Sequence, residues 1–335
     1  MDNKMAPKKR YIEKNFGIMF PCIGRRVSLL NSFRKSAAQL KIQAHFIGTD
    51  TTELSPALQL CDKSFIVKPF DHPEYIKQVL KIVQQNSVKL LVPTIDLDLK
   101  LFAKNKEKFE KLGCCVLISP LKVIEICQDK RQTYKFLAKN GFCTPVTMSA
   151  QAALKNKKLK FPRFLKPWDG SASRGTAAVT NRREFEVFAK RIPNCVVQEY
   201  INGAEHTCDI FVDFEQKVRC VVPRKRLQVR SGEVSKSQIV KDPEIMGCAA
   251  KAIQALGAGP GVITLQLIVN KNKKIQIIEI NPRFGGGVPL SIKAGANFPK
   301  WILQLIIGQK PHIKFDGFKN DLYMLRYDDE VWFEK

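Results

Sequence analysis

Histidine and acidic residues are scarce in this sequence. Its 335 residues include 4 histidines, and 31 Asp and Glu stand against 56 Lys and Arg. A zinc site usually needs closely spaced His and Cys ligands, and the ten cysteines include no CxxC pair. We therefore expect neither a zinc site nor a disulfide framework. Reduced, mostly buried cysteines predict a cytoplasmic protein, because disulfides form in oxidising compartments.

Long apolar runs are also missing. No stretch approaches the roughly 18 consecutive apolar residues of a membrane-spanning helix. The N-terminal residues are polar and basic, so they lack the apolar segment of a secretory signal peptide. We expect a loose basic tail over residues 1–14 and no membrane partner.

The net charge of +25 admits more than one interpretation. A strongly basic protein can bind nucleic acid, an acidic tail, or a nucleotide together with an acidic substrate. The plainer alternative is a solvated, lysine-rich surface. The basic residues are spread through the chain, with the densest cluster at 155–160 and Arg163, and no zinc-finger or RNA-recognition motif is present. Nucleic acid is therefore not the expected target.

Short apolar strands alternate with amphipathic helices over residues 16–118. This alternation predicts a parallel, doubly wound sheet, in which ligands bind outside the carboxyl ends of the strands. Two loops are expected there, at 21–26 and 93–96. The chain is too long for one ordinary core, so two or three domains are expected. The predicted strands are 16–20, 44–47, 64–67, 89–92 and 115–118, and the predicted helices are 27–40, 75–85 and 97–112.

A β-hairpin near the C-terminus ends in an unusual cluster of polar residues. If its turn occupies 271–274, Gln266 lies directly opposite Glu279. Strand side chains alternate, so Glu279 and Asn281 share a face roughly 6.6 Å apart. Such oxygen ligands suit Mg²⁺ that also binds phosphates. Arg283 follows, where a cation stabilises charge on a transferring phosphoryl group. The glycines at 285–287 allow a close approach. The alternative is an ordinary solvent-facing strand end.

The stretch Glu279-Ile280-Asn281-Pro282-Arg283-Phe284-Gly285-Gly286 resembles the metal-binding signature of the ATP-grasp superfamily. The likeness is to ligases similar to the large subunit of carbamoyl-phosphate synthase, and it extends over residues 15–312. It implies a mixed α/β and α+β chain, with an ATP-grasp fold preceded by a Rossmann-like pre-ATP-grasp domain. The implied domains are 15–119 (pre-ATP-grasp), 120–197 (small lid domain) and 198–335 (nucleotide and metal binding).

The resemblance also implies roles for individual residues. Lys130 and Lys166 would contact the nucleotide phosphates, beneath a glycine-rich lid loop at 169–175 that contains Ser171 and Ser173. The loop has Ala172 where relatives often have glycine. The remaining implied contacts are Glu199 and the Ile201 backbone with adenine, Glu205 with the ribose, Gln266, Glu279 and Asn281 with Mg²⁺ or Mn²⁺, and Arg283 with the phosphates.

A second substrate is expected beside the nucleotide. The basic stretch 223–226, with Arg230 and residues 232–233, lies where these ligases often bind an acyl or acceptor substrate, and Arg224 is a predicted catalytic residue. Residues 24–26 open a helix, whose N-terminus favours anions. Asp96 and Asp98 lie where relatives commonly have Asp and Glu.

The predicted function is an ATP-dependent, ADP-forming carboxylate–amine ligase that acts through an acyl phosphate. Its substrates would be a small carboxylate and an amine, and the basic charge favours an acidic one. The protein would be cytoplasmic, and the resemblance implies a homodimer, since dimers are common in the family. One alternative is an enzyme that phosphorylates bicarbonate or carbamate. The other is a nucleotide-binding regulatory or nucleic-acid-associated protein that kept the fold.

Overall fold

The structure is a computed structural model that describes residues 16–170, 175–230 and 232–334. The predicted tail at 1–14 lies outside these residues, as do Ser171 and Ser173. Over the described residues the chain forms sheets of five, four and six strands. No described helix is long and apolar enough to cross a lipid bilayer.

The five-stranded sheet is parallel, as predicted, with strand order β3-β2-β1-β4-β5. All five residues of β1 are buried, which is why this apolar run forms a central strand. Helix α3 buries Tyr75, Val79, Ile82 and Val83, one face of a helix with 3.6 residues per turn. The elements are β1 (Phe16–Phe20), α1 (Val27–Gln39), β2 (Ala44–Asp50), α2 (Pro56–Gln59), β3 (Lys63–Ile66), α3 (Tyr75–Gln85), β4 (Val88–Leu91), α4 (Leu99–Lys111) and β5 (Cys115–Val116).

The four-stranded sheet is antiparallel, in the order β6-β9-β7-β8, and two helices precede it. The second of them, α6, begins after Asp129, whose carboxylate accepts a hydrogen bond from the Arg131 amide and so caps the helix. The elements are α5 (Leu121–Gln128), α6 (Lys130–Lys139), β6 (Thr147–Ser149), α7 (Ala150–Lys155), β7 (Arg163–Pro167), β8 (Ala177–Val179), α8 (Arg182–Arg191) and β9 (Cys195–Glu199).

The six-stranded sheet is antiparallel, in the order β14-β13-β10-β11-β12-β15. Helix α9 begins after Asp242, which accepts hydrogen bonds from two amides of the first turn, and ends at Gly257 in the left-handed conformation. The elements are β10 (Gly203–Val212), β11 (Val218–Arg230), β12 (Glu233–Ile239), α9 (Pro243–Leu256), β13 (Gly261–Asn270), β14 (Ile275–Asn281), α10 (Val288–Lys293), α11 (Phe298–Ile306) and β15 (Tyr323–Leu325).

The hairpin of β13 and β14 has the predicted pairing at one end and a shift at the other. Gln266 pairs with Glu279, as predicted. Beyond a β-bulge, Leu267 pairs with Ile277, so the pairing near the turn differs by one residue from the prediction. Ile278 is the extra residue, and a bulge changes the direction of the side chains beside it.

One hydrophobic core is shared by the five-stranded and six-stranded sheets. The ring of Phe33 in α1 lies 5.2 Å from Phe20 of β1 and 5.9 Å from Phe284, both edge-to-face. Ile302 of α11 belongs to the same core. The four-stranded sheet has a separate core around Phe185. Packing therefore joins the first and last parts of the chain, together with α5 and α6, and gives the four-stranded sheet with α7 and α8 a core of its own.

Candidate active site

A cavity of about 650 Å³ lies between the four-stranded and six-stranded sheets and reaches the loops of the five-stranded sheet. The face of the six-stranded sheet that carries Thr207, Gln266 and Glu279 forms one wall. The loop after β4 contributes Asp96, and the loop after β1 contributes Arg26. The lining includes ten of the predicted site residues: Lys130, Lys166, Glu199, Ile201, Glu205, Arg224, Gln266, Glu279, Asn281 and Arg283.

Three side chains with oxygen donors meet on the hairpin wall of this cavity. Gln266 and Glu279 are directly paired across the strands, and Asn281 lies two residues beyond Glu279 on the same wall. The β-bulge allows Ile277 to enter the core while Ile278 and Glu279 both line the cavity. One carboxylate with two amide oxygens is a donor set that suits a hard divalent cation. The residues present therefore fit Mg²⁺.

Two lysines line the same cavity from the side of the four-stranded sheet. Lys166 of β7 is 5% exposed, and burial lowers its pKa to about 8, with a smaller opposing effect from Glu279. Lys130 opens α6 and donates a hydrogen bond to the Gly170 carbonyl. Its own amide donates to the Trp168 carbonyl at 3.0 Å. The two ammonium groups therefore line the same cavity, a suitable environment for phosphates.

Arg283 is held by the loop that follows β4. Its Nη2 donates to the Asp96 carboxylate, and its Nη1 donates to the Phe284 carbonyl at 3.0 Å. Burial is the largest single effect and lowers the pKa of Arg283, but Asp96, Glu279 and Glu233 together raise it above its usual value. The five-stranded sheet thus fixes a cation beside the candidate metal ligands. Asp96 was predicted near the substrate, and its pairing with Arg283 was not predicted.

Arg224 is buried in an ion pair that sequence reasoning missed. Its Nε and Nη2 donate to the two Asp209 oxygens at 2.7 and 2.9 Å, and Ser291 Oγ donates to Asp209 at 2.6 Å. Nη1 of Arg224 is buried and has no hydrogen-bond partner among the described residues. The sequence signal for Asp209 was its charge, because it lies within the apolar run of β10. The predicted catalytic role of Arg224 remains a prediction.

The predicted adenine and ribose residues lie at the other end of the cavity. Glu199 ends β9, and its carboxylate accepts a hydrogen bond from the Val146 amide at 3.1 Å. Glu205 forms an ion pair with Arg226 at 3.3 Å. Both carboxylates therefore have partners within the protein, and the Ile201 segment lines the cavity between them.

The basic stretch predicted for the second substrate is divided by strand alternation. Arg224 and Arg226 line the cavity. Lys225 is directly paired with His206 on the opposite face of the sheet, and Arg230 forms an exposed ion pair with Asp328. Two of the four predicted cations are therefore placed to meet a ligand.

Gly24 and Asp98, two further predicted positions, form hydrogen bonds with other residues of the protein. The Gly24 amide donates to the Asp50 carboxylate at 2.9 Å, so an internal anion already binds at this turn. Asp98 is fully buried beneath the cavity loop and accepts a hydrogen bond from the Tyr75 hydroxyl at 3.2 Å. Asp98 therefore supports the loop from within the domain.

The three glycines after Phe284 provide space for neighbouring side chains. A Cβ on Gly285 would lie 2.8 Å from Thr264 Oγ1, and one on Gly286 would lie 3.0 Å from Arg26 Nη1. A Cβ on Gly287 would lie 2.3 Å from Arg224 Nη1. The predicted close approach is thus made by Thr264 and two arginines.

A cavity between a small and a large antiparallel sheet, with lysines facing a carboxylate and two amides, is the arrangement that the resemblance to ATP-grasp proteins implies. Comparison with family models agrees: residues 127–287 match the ATP-grasp domain, and residues 18–117 match the PylC-like N-terminal domain. The chain therefore carries an ATP-grasp domain and a PylC-like N-terminal domain.

Among curated proteins, the chain is similar to the carbamoyl phosphate synthase large chain of Gemmatimonas aurantiaca. The two are 24% identical over 270 residues, which cover 73% of this chain and 25% of that protein. The chain thus spans about a quarter of the length of the curated relatives that it matches.

Two solved structures share the fold. Biotin carboxylase from Campylobacter jejuni has a TM-score of 0.74 at 17% identity, covering 92% of this chain and 74% of that one. L-amino acid ligase from Bacillus licheniformis has a TM-score of 0.68 at 22% identity, covering 88% and 74%. These identities are low, so the likeness is one of fold.

Proposed function

We propose that the protein is an ATP-dependent, ADP-forming carboxylate–amine ligase. The observation that carries the proposal is the single cavity in which Lys130 and Lys166 lie across from Gln266, Glu279 and Asn281. Cations on one side and oxygen ligands on the other suit a nucleotide triphosphate bound with a divalent metal. The ATP-grasp family assignment supports the same reading.

ATP would lie along the cavity, with its base at Ile201 and its ribose beside Glu205. Lys130 and Lys166 would hold the phosphates, and Gln266, Glu279 and Asn281 would hold Mg²⁺. A bound magnesium ion neutralises phosphate charge and keeps the transferring phosphoryl group in line.

The acid would approach from the side of Arg283. Its carboxylate oxygen attacks the γ-phosphorus, the bond to the β-phosphate oxygen breaks, and ADP leaves. The amine nitrogen then attacks the acyl carbon, phosphate leaves, and the amine loses a proton. Lys166 and Arg283 would offset the repulsion between two anions, and alignment in one cavity supplies much of the rate gain.

The decisive test is Glu279→Gln. The substitution keeps the shape of the side chain and removes the charge, so turnover should fall at least about 100-fold while circular dichroism is unchanged. Phosphate release would be measured with amino acids and small carboxylates in pairs, and products identified by mass spectrometry. The matched control is Glu215→Gln, an exposed residue paired with Lys217 and outside the cavity.

The outcomes of this test separate the alternatives. Retained turnover in Glu279→Gln would contradict the metal assignment. Incorporation of labelled bicarbonate without any other acid would favour a bicarbonate-phosphorylating enzyme. Absence of phosphate release with every mixture would favour a nucleotide-binding regulatory protein.

A cytoplasmic location and small-molecule substrates complete the proposal. All ten cysteines are unpaired in the structure, which supports a reducing compartment. Four of them are buried and Cys143 is exposed, so they are less uniformly buried than predicted. A homodimer stays a prediction.

A further inference from the structure

At one end of the cavity, arginine side chains outnumber the carboxylates that pair with them. Arg26 is the arginine that reaches this end from the loop after β1. Its only carboxylate partner among the described residues is Glu233, at 3.4 Å. Glu233 is shared with Arg25 at 3.7 Å and with Arg326 at 3.0 Å. Three guanidinium groups therefore meet one carboxylate.

The other two carboxylates at this end already have arginine partners, so neither is free to bind Arg26. The Asp209 carboxylate is occupied by Arg224 and Ser291, and the Asp96 carboxylate is occupied by Arg283. Arg26, Arg224 and Arg283 line this end of the cavity, and Arg25 and Arg326 lie beside it. Together the five arginines face three carboxylates, so their formal charges exceed those of the carboxylates by two.

Arg25 is largely solvated, but the three arginines that line the cavity are mostly removed from water, so an unneutralised charge among them is unfavourable. The Arg26 side chain is 20% exposed. Burial lowers the pKa of Arg26, and the nearby Arg283 and Arg326 add to this effect against Glu233. Arg224 Nη1 is buried without a hydrogen-bond partner among the described residues. An incoming anion paired with Arg26 would relieve the charge excess.

The glycines at 286 and 287 leave room for the guanidinium groups of Arg26 and Arg224. Arg26 Nη1 would be only 3.0 Å from a Cβ at Gly286, and Arg224 Nη1 only 2.3 Å from a Cβ at Gly287. Both glycines line the cavity with the two arginines. Val229 and Val234 provide apolar surface at the same end, which suits the aliphatic part of a ligand.

We propose that the acid substrate carries a second carboxylate, and that Arg26 binds it at this end of the cavity while the first carboxylate is phosphorylated near Arg283. The inference rests on the proposed ligase function and adds the class of the acid, a dicarboxylate. Arg26 is then a specificity-determining residue. Arginine suits this role because its planar fork grips a carboxylate with two hydrogen bonds.

The experiment compares acids that differ only in the second carboxylate. Each dicarboxylate is compared with the monocarboxylate of equal chain length or with its side-chain amide. The dicarboxylates are malonate, succinate, glutarate, adipate, L-aspartate and L-glutamate. Hydroxylamine serves as the amine and traps the acyl phosphate as a hydroxamate, so the natural amine is not needed. ADP release is measured with Mg-ATP in excess.

Arg26→Gln, Arg26→Lys and Arg34→Gln are the variants. We expect a KM for the best dicarboxylate at least tenfold below that of its partner acid. Arg26→Gln should raise the dicarboxylate KM at least tenfold and leave the KM for ATP within twofold, with partial rescue in Arg26→Lys. Arg34 lies on α1, pairs with Asp62 and does not line the cavity, so Arg34→Gln should match the parent protein.

Equal use of monocarboxylates, or an Arg26→Gln effect of the same size on both acid classes, would overturn the inference and leave the ligase proposal standing. The opposite case is a dicarboxylate site without ligase activity. It is tested by calorimetric titration of glutarate, with a non-hydrolysable ATP analogue and Mg²⁺ present. Binding that is lost in Arg26→Gln, without ADP release for any acid, would support the dicarboxylate site and contradict the ligase activity.

Discussion

Single charged residues in this protein are held by partners that are distant in sequence. Arg224 and Asp209 sit on adjacent strands, and each is fully buried. Sequence reasoning named Arg224 because it belongs to a basic stretch, but it gave no partner. Removing one member of a buried pair leaves the other charge uncompensated, so an Arg224 variant would lose stability as well as any substrate contact.

Asp98 gives a residue-level prediction about pH. Burial raises the pKa of Asp98 from 3.8 to about 8 in the folded protein. A carboxyl group whose pKa is raised binds a proton on folding, so the free energy of unfolding falls as pH rises from about 4 to about 8. Asp98→Asn can still accept from the Tyr75 hydroxyl but cannot ionise.

The variant should therefore gain stability over the parent protein as pH rises. The gain grows by up to about 1 kcal/mol per pH unit in this window and disappears near pH 4. Thermal unfolding midpoints of both proteins, measured between pH 4.5 and 8, check the prediction. A difference that is constant with pH would contradict it.

At the scale of elements, the strand pattern was predictable because alternation and helical spacing are local properties. The bounds of β1 and α3 agree with the sequence prediction, and so does the pairing of Gln266 with Glu279. The bulge at Ile278 was not predictable, because both the regular and the bulged hairpin place Glu279 on the same face. Only packing of Ile277 into the core distinguishes them.

The turn after β14 gives a prediction at the element scale. Gly287→Ala would place a methyl group 2.3 Å from Arg224 Nη1 and 2.8 Å from the Val234 side chain. The buried arginine or the turn must move, and we expect a loss of about 1–3 kcal/mol, typical of an overpacked site. Chemical denaturation measures the loss.

Gly247→Ala is the matched control on α9. A Cβ at Gly247 meets nothing within 4 Å, and alanine favours a helix over glycine by about 1 kcal/mol. This variant should gain stability. If both variants changed stability in the same direction, close packing at Gly287 would not be the cause.

At the scale of the molecule, the chain divides into packing units that do not follow its linear order. The three consecutive domains implied by the family resemblance stay a prediction. In the structure, α1 packs with Phe284 and α11 in one core, and the four-stranded sheet has its own. Sequence periodicity shows which face of a helix is apolar, but it does not show which distant element covers that face. The packing of α1 against Phe284 and α11 was therefore not predictable.

Truncation of core phenylalanines tests this division. Phe33→Ala removes contacts to both Phe20 and Phe284 and should cost about 3–5 kcal/mol. Hydrogen exchange followed by mass spectrometry should then show faster opening of the five-stranded and six-stranded sheets together.

Phe185→Ala is the counterpart within the other core. It should accelerate exchange in the four-stranded sheet and leave the shared core unchanged. Faster exchange confined to the five-stranded sheet in Phe33→Ala would show that the two sheets open independently, contrary to the expectation.

The shared core also bears on how such chains can diversify. A four-stranded unit with its own core can be replaced by a homologous one, since its buried apolar side chains pack mainly against one another. The N-terminal sheet lacks this independence, because any substitute must reproduce the surface of α1 that meets Phe284 and α11. Recombination among related genes is therefore expected to exchange the middle of the chain more readily than its beginning.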